Sequence, residues 1–155
     1  AVGMSGLVMA GGAGSLIGSL QLARSTPQHP GWRIAMSVTV MGGLLMIFAL
    51  TPSLPDPFGL AMPFVALFAV GLFHGGYIPL THTILLTATP EHLRGRVISL
   101  VSLDRAVSTI GAATAGFLAA WAGAQSAQFL YGAITLVAGF IVFSLARGLR
   151  SYSIE

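Results

Sequence analysis

The feature that most constrains this chain is the length of its uncharged runs. No Asp, Glu, Lys or Arg occurs in residues 1–23, 34–55 or 57–90, and each run is dominated by apolar residues. An α-helix rises about 1.5 Å per residue, so about 20 apolar residues cross a bilayer core about 30 Å thick. Runs of this length can be buried in lipid and have no comparable place in a small soluble domain. Composition agrees: 55% of the 155 residues are hydrophobic and 7% are charged, against about 25% charged in a soluble domain. The class is integral membrane protein, all-α.

The chain has a net charge of +3 and a pI near 10.2, but this does not describe a nucleic-acid binder. All seven basic residues are arginine, and they sit at or near the breaks between apolar runs. No basic stripe alternates with aromatics, as a nucleic-acid surface requires. There is no cysteine, which excludes disulfides and thiolate metal sites. The four histidines are scattered, and no nucleophile–base pair, phosphate loop or metal cluster is present. No enzyme and no cofactor is expected.

Five crossings are predicted, at about 1–23, 34–54, 58–89, 97–121 and 127–147. In the first, Gly6, Ala10, Gly14 and Gly18 recur every four residues. Small residues at that spacing let membrane helices approach closely, for packing or for gating. The second crossing has no polar group that suggests chemistry, and it is expected to be peripheral. In the third, Pro79 removes a backbone hydrogen bond and frees the carbonyl of Gly75. The pair Gly75–Gly76 precedes it, and a kink is expected there. In the fourth, Leu100, Leu103, Val107, Ile110, Phe117 and Trp121 form a bulky stripe expected to face lipid. Arg105, Thr109, Ala112 and Gly116 lie roughly opposite and are expected to face the bundle interior. Residues 122–128 read as a short uncharged turn.

Arginine falls in alternate breaks: Arg24 and Arg33, then Arg94 and Arg96, then Arg147 and Arg150. The breaks at 51–57 and 122–128 have none. The positive-inside rule then places the C-terminus and the arginine-bearing loops in the cytoplasm. The chain opens without Met, on residues that read as the interior of a membrane helix, and is expected to begin partway through a larger protein.

The charged break Thr89–Leu100, T-P-E-H-L-R-G-R-V-I-S-L, organises the rest. Together with Gly71–Ala88 it resembles the tenth helix, cytoplasmic loop and eleventh helix of the major facilitator superfamily. The likeness is to bacterial exporters of the enterobactin-exporter and macrolide-efflux group, whose P-[ED]-x-x-R-G-R-V-x-[SG]-L run is matched by Pro90, Glu91, Arg94, Gly95, Arg96, Val97, Ser99 and Leu100. The first crossing resembles the eighth helix. Gly18, Arg24, Gly31 and Arg33 loosely follow the G-x-x-x-[DN]-R-x-G-R-R element after it, with Ala23 where the acid would stand. The resemblance implies that the chain is the C-terminal part of a twelve-helix major facilitator fold, helices eight to twelve. It implies alternating access in a bacterial inner membrane, with protons exchanged for a small molecule and the missing N-terminal helices forming the other wall.

Candidate site residues follow from charge and polarity inside apolar runs. A carboxylate within a membrane helix is costly, and such residues usually face a cavity or move protons. Asp104 is the first proton-coupling candidate, with structural pairing to Arg105 as the alternative. His82 is the second. If the third and fourth helices are antiparallel neighbours, His82 and Asp104 lie at similar depth and a His–Asp couple is available to pass a proton. Otherwise His82 is a histidine bonded to backbone. His74, Tyr77 and Thr81 share one face beside Pro79 and, with Arg105, are substrate-cavity candidates. The alternatives are helix–helix hydrogen bonding and, for Arg105, snorkelling to headgroups. Glu91, Arg94 and Arg96 are expected to latch the cytoplasmic side as a gating loop. The expected function is proton-coupled export of a drug or siderophore. The alternative is a non-transport membrane scaffold or an inactive fragment.

Overall fold

The structure, a computed structural model, describes residues 2–24, 30–55 and 57–145. The side chains of Val2, Asp104, Arg105 and Leu145 lie outside that description, as do residues 25–29, Asp56 and residues 146–155, which include Arg147 and Arg150. Five long helices account for most of the described residues: α1 (Val2–Arg24), α2 (Pro30–Leu50), α3 (Phe58–Ala88), α4 (Arg94–Ala122) and α5 (Ala124–Leu145). All five are long and apolar enough to cross a membrane, and the chain is a multi-pass membrane protein.

The helix ends follow local backbone chemistry. α2 begins at Pro30, ahead of the expected Ile34, because proline is favoured at a first helical position, where its missing N–H costs nothing. A short 3-10 turn, Thr51–Ser53, carries α2 on past Leu50. The Thr51 hydroxyl donates to the Phe48 carbonyl at 2.7 Å. α3 ends where Thr89 precedes Pro90. A residue before proline is pushed out of the helical region, and Thr89 is extended, at φ −97° and ψ 126°.

The charged break is shorter than the sequence suggests. Glu91–Leu93 forms a 3-10 turn, and Arg94, Gly95 and Arg96 already belong to α4. The expected turn at 122–128 shrinks to one residue, Gly123, at φ 89°. Its N–H caps α4 on the Ala119 carbonyl at 3.0 Å, and its own carbonyl accepts from Ala127 at 3.1 Å.

Small residues hold the helices together. The buried apolar side chains are Ala35, Ala49, Ala66, Leu80 and Ala127, while Met4, Phe117 and Trp121 are exposed at 77%, 75% and 79%. This inverts the plan of a soluble protein. Lipid solvates the large side chains, so helices associate through the close packing that small ones allow.

α1 and α3 show it most clearly. A Cβ on Gly14 would collide with the Phe68 carbonyl, one on Gly18 with that of Leu72, one on Gly71 with that of Gly11, and one on Gly75 with that of Ser15. The paired numbers rise together, so the two helices are parallel, each contributing a glycine pair four residues apart. Gly6 of the expected seam meets the Phe64 ring. Gly75 is thus a point of backbone contact with α1, and α3 runs through Pro79 as one helix.

α2 and α5 form a second glycine-lined contact. Gly42 faces Leu136, Gly132 faces Met46 and Gly139 faces Thr39. Here the numbers run in opposite senses, so the pair is antiparallel. α2 also packs on α3, and among the described residues α4 packs chiefly on α5.

α4 departs from the expected orientation. Its bulky stripe faces outward, with Leu103 59% and Phe117 75% exposed. Thr109, Ala112 and Gly116 do not turn into the bundle either: they are exposed, and the half-covered residues on the α5 side are Gly111, Ala115, Leu118 and Ala119. The two small faces lie about 100° apart around the axis, one residue's turn of the helix. The hydroxyl of Tyr131 selects one of them by donating to the Gly111 carbonyl at 3.3 Å, with Thr114 Oγ1 2.8 Å away.

Candidate functional site

The described arginines gather at one end. Arg24 ends α1, Arg33 lies in the first turn of α2, and Arg94 and Arg96 open α4. The α1–α3 register, with Gly18 at Leu72 and Gly75 at Ser15, carries Arg24 to about the level of Thr81 and His82. His82 is therefore near this arginine-bearing end, and it is exposed. The last turns of α3 run on past α1 to Ala88.

The structure does not pack α3 against α4 along their lengths. α4 instead leans on α5. The side-by-side arrangement on which a His82–Asp104 couple depends is thus absent from the described packing. Among the described residues a Cβ added at Gly95, Gly111 or Gly116 of α4 meets nothing within 4 Å, so no glycine seam draws α4 onto α3. α4 begins at Arg94 rather than Val97, which puts Asp104 ten residues into its helix, or about 15 Å along it. Asp104 and Arg105 lie within α4, with their side chains outside the described residues.

His74, Tyr77 and Thr81 do share one face of α3. They lie off the Gly71–Gly75 side that meets α1. His74 is exposed, while Tyr77 and Thr81 are half-buried. The Thr81 hydroxyl donates to the Tyr77 carbonyl at 2.8 Å, and that of Thr83 to the Pro79 carbonyl at 2.9 Å. These bonds satisfy the hydroxyls within one helix, which leaves His74 and the Tyr77 ring as the groups best placed to meet a ligand.

At the charged break, Glu91 and Arg94 are 3.6 Å apart, with side chains 90% and 46% exposed. Arg94 Nε also donates to the Thr89 carbonyl at 3.4 Å. Arg96 is exposed, and the Ser99 hydroxyl donates to its carbonyl at 2.7 Å. Such an exposed pair adds little stability. It can nevertheless tie the end of α3 to the start of α4.

Two of the cavities among the described residues lie elsewhere, and neither includes the candidate residues on α3. One, of about 200 Å³, sits among α1, α2 and α3 near the arginine-bearing end, with Gln21, Arg33 and Ser37 in its wall. The other, of about 470 Å³, sits at the opposite end beside Phe48, Thr51, Pro63, Gln125 and Gln128. Gln125 bridges there to the Ser53 hydroxyl at 3.1 Å. Sequence reasoning passed over both sets of residues. The available signal was a lone glutamine or serine within an otherwise apolar helix, beside an arginine read as a loop residue. Among the described residues no group of acids and histidines is arranged to hold a metal.

No family model matches the chain, and no solved structure matches it. Curated proteins do. Over 144 residues the chain is 29% identical to the multidrug efflux pump Tap of Mycolicibacterium fortuitum, covering 91% of this chain and 34% of that protein. Over 133 residues it is 34% identical to the proteins of the same name from Mycobacterium bovis and Mycobacterium tuberculosis, covering 84% of this chain and 30% of theirs. The chain spans about a third of the length of these relatives, and its similarity is to proteins named for drug efflux, not to enzymes.

Proposed function

We propose that this chain is part of a proton-coupled exporter that moves a drug or siderophore across a bacterial inner membrane by alternating access. The observation that carries the reading is the similarity to multidrug efflux pumps over 91% and 84% of the chain. The motif Pro90–Leu100 supports assignment to the major facilitator superfamily, with the five helices as helices eight to twelve. That motif is also what favours the enterobactin-exporter and macrolide-efflux group. The gathering of Arg24, Arg33, Arg94 and Arg96 at one end supports a cytoplasmic location for that end.

In this reading His74 and Tyr77 meet the substrate from α3, with Thr81 holding the local backbone and Arg105 reaching from α4. The α3 face they occupy is turned away from α1, and the small-residue face of α4 is likewise open, so both are available to helices of the N-terminal half. Asp104 carries the coupling proton within the membrane. His82, exposed near the arginine-bearing end, exchanges protons with water. Glu91, Arg94 and Arg96 latch that end when the transporter faces outward.

The test is efflux of a fluorescent drug by the full-length protein in proteoliposomes, with and without an imposed proton gradient. Gradient-driven efflux that Asp104→Asn abolishes, in a protein that still folds, is the expected result. Unchanged gradient-driven efflux in Asp104→Asn removes that residue from coupling. Failure of the full-length protein to move any of a panel of cationic and anionic drugs overturns the export reading.

A further inference from the structure

The cavity among α1, α2 and α3 has two unlike walls. The polar groups, Gln21, Arg33 and Ser37, come from α1 and α2, while α3 contributes Leu72, Phe73 and Leu80. Arg33 is half-buried, and no ion-pair partner for it occurs among the described residues. Nor do the three lining helices contain a candidate: α1, α2 and α3 hold no Asp or Glu. The break between α1 and α2, residues 25–29, has none either. Glu91 is already beside Arg94 and is 90% exposed. A guanidinium held partly out of water in a low-dielectric surround calls for an anion, and its planar donor fork suits phosphate.

We infer that this cavity binds the phosphate headgroup of an anionic membrane lipid. Arg33 holds the phosphate, Gln21 and Ser37 bond the glycerol oxygens, and an acyl chain lies along Leu72, Phe73 and Leu80. A volume of about 200 Å³ exceeds several times the ~30 Å³ share of one water, which leaves room for a headgroup. The cavity lies within the helix layer at its arginine-bearing end, where lipid headgroups are found. Basic pockets between membrane helices are suited to such lipids. The inference needs only that the helices span a bilayer and does not rest on the transport reading.

Native mass spectrometry tests it on the full-length protein released from nanodiscs of phosphatidylcholine with a minority of phosphatidylglycerol. The expected result is one retained phosphatidylglycerol, weakened about fivefold by Arg33→Gln and little changed by Arg24→Gln, which alters an exposed arginine at the same end. Ser37→Leu fills the cavity with a side chain that a membrane helix accepts, and it should also lower retention while Arg33 is intact. If Arg33→Gln fails to fold, Ser37→Leu decides. Equal losses from Arg24→Gln and Arg33→Gln would reduce the effect to surface attraction and overturn the site. Arg33-dependent binding of glycerol phosphate in detergent, without retention of phosphatidylglycerol, would overturn the lipid assignment in favour of a soluble anion.

Discussion

Gly75 of α3 lies against the backbone of Ser15 in α1, so close that a Cβ at Gly75 would overlap the Ser15 carbonyl. The same holds for Gly18 at Leu72, and the two contacts lock the helices in parallel. Gly75→Ala or Gly18→Ala is expected to lower stability by about 1–3 kcal/mol, the usual cost of overpacking. Gly12→Ala, where an added Cβ meets nothing within 4 Å, is expected to be neutral. Thermal unfolding in detergent compares the three, and equal midpoints would disprove the contact.

Tyr131 ties α5 to α4 through the Gly111 carbonyl at 3.3 Å and Thr114 at 2.8 Å. Tyr131→Phe removes the hydroxyl and keeps the ring. A loss of about 0.6 kcal/mol is expected, typical of a hydrogen bond between membrane helices. A double-mutant cycle with Thr114→Val measures the coupling, and faster hydrogen exchange along α4 is the local signature.

Gly123 alone joins α4 to α5, at φ 89° and ψ 149°. Side chains rarely adopt that conformation, and strain of about 1–3 kcal/mol is expected on Gly123→Ala. Because nothing lies within 4 Å of the added Cβ, the loss would come from the backbone and not from a clash. A matched unfolding series with Gly116→Ala, equally open but helical, separates the two effects.

Glu91 and Arg94 are too exposed for their pairing to matter to stability. Glu91→Gln is expected to leave the unfolding midpoint unchanged, within the ~0.5 kcal/mol usual for surface substitutions. If the pair latches one state of a transporter, the same change lowers the rate of efflux by the full-length protein. A shifted midpoint with normal efflux would make the pair structural.

Much of the fold is legible in sequence because lipid acts on each helix separately. Scarcity of charge marks the crossings and Pro90 marks the end of α3, whereas α2 starts at Pro30 rather than the expected Ile34 and the break expected over 122–128 is Gly123 alone. The seam residues Gly14 and Gly18 can be picked out by spacing alone. Their partners cannot: Gly75, beside Pro79, invites a kink, and only the packed structure shows it meeting Ser15. The cavity residue Arg33 was hidden for a similar reason, since its importance comes from the absence of acids on three helices that meet only in space.

The linear order of apolar runs, arginines and helix-breaking residues determined by itself that this chain is all-helical, crosses a membrane repeatedly and carries its positive charge toward one end. Tertiary structure decided which helices pair. α1 lies parallel to α3, α2 antiparallel to α5, and α4 turns Gly111 and Ala115, not Ala112 and Gly116, toward its neighbour. The division has a physical cause. Transfer into lipid depends on each residue's own polarity, which sequence states directly. Association within lipid gains little from hydrophobicity and depends on how closely two backbones can approach, which is a property of pairs of surfaces.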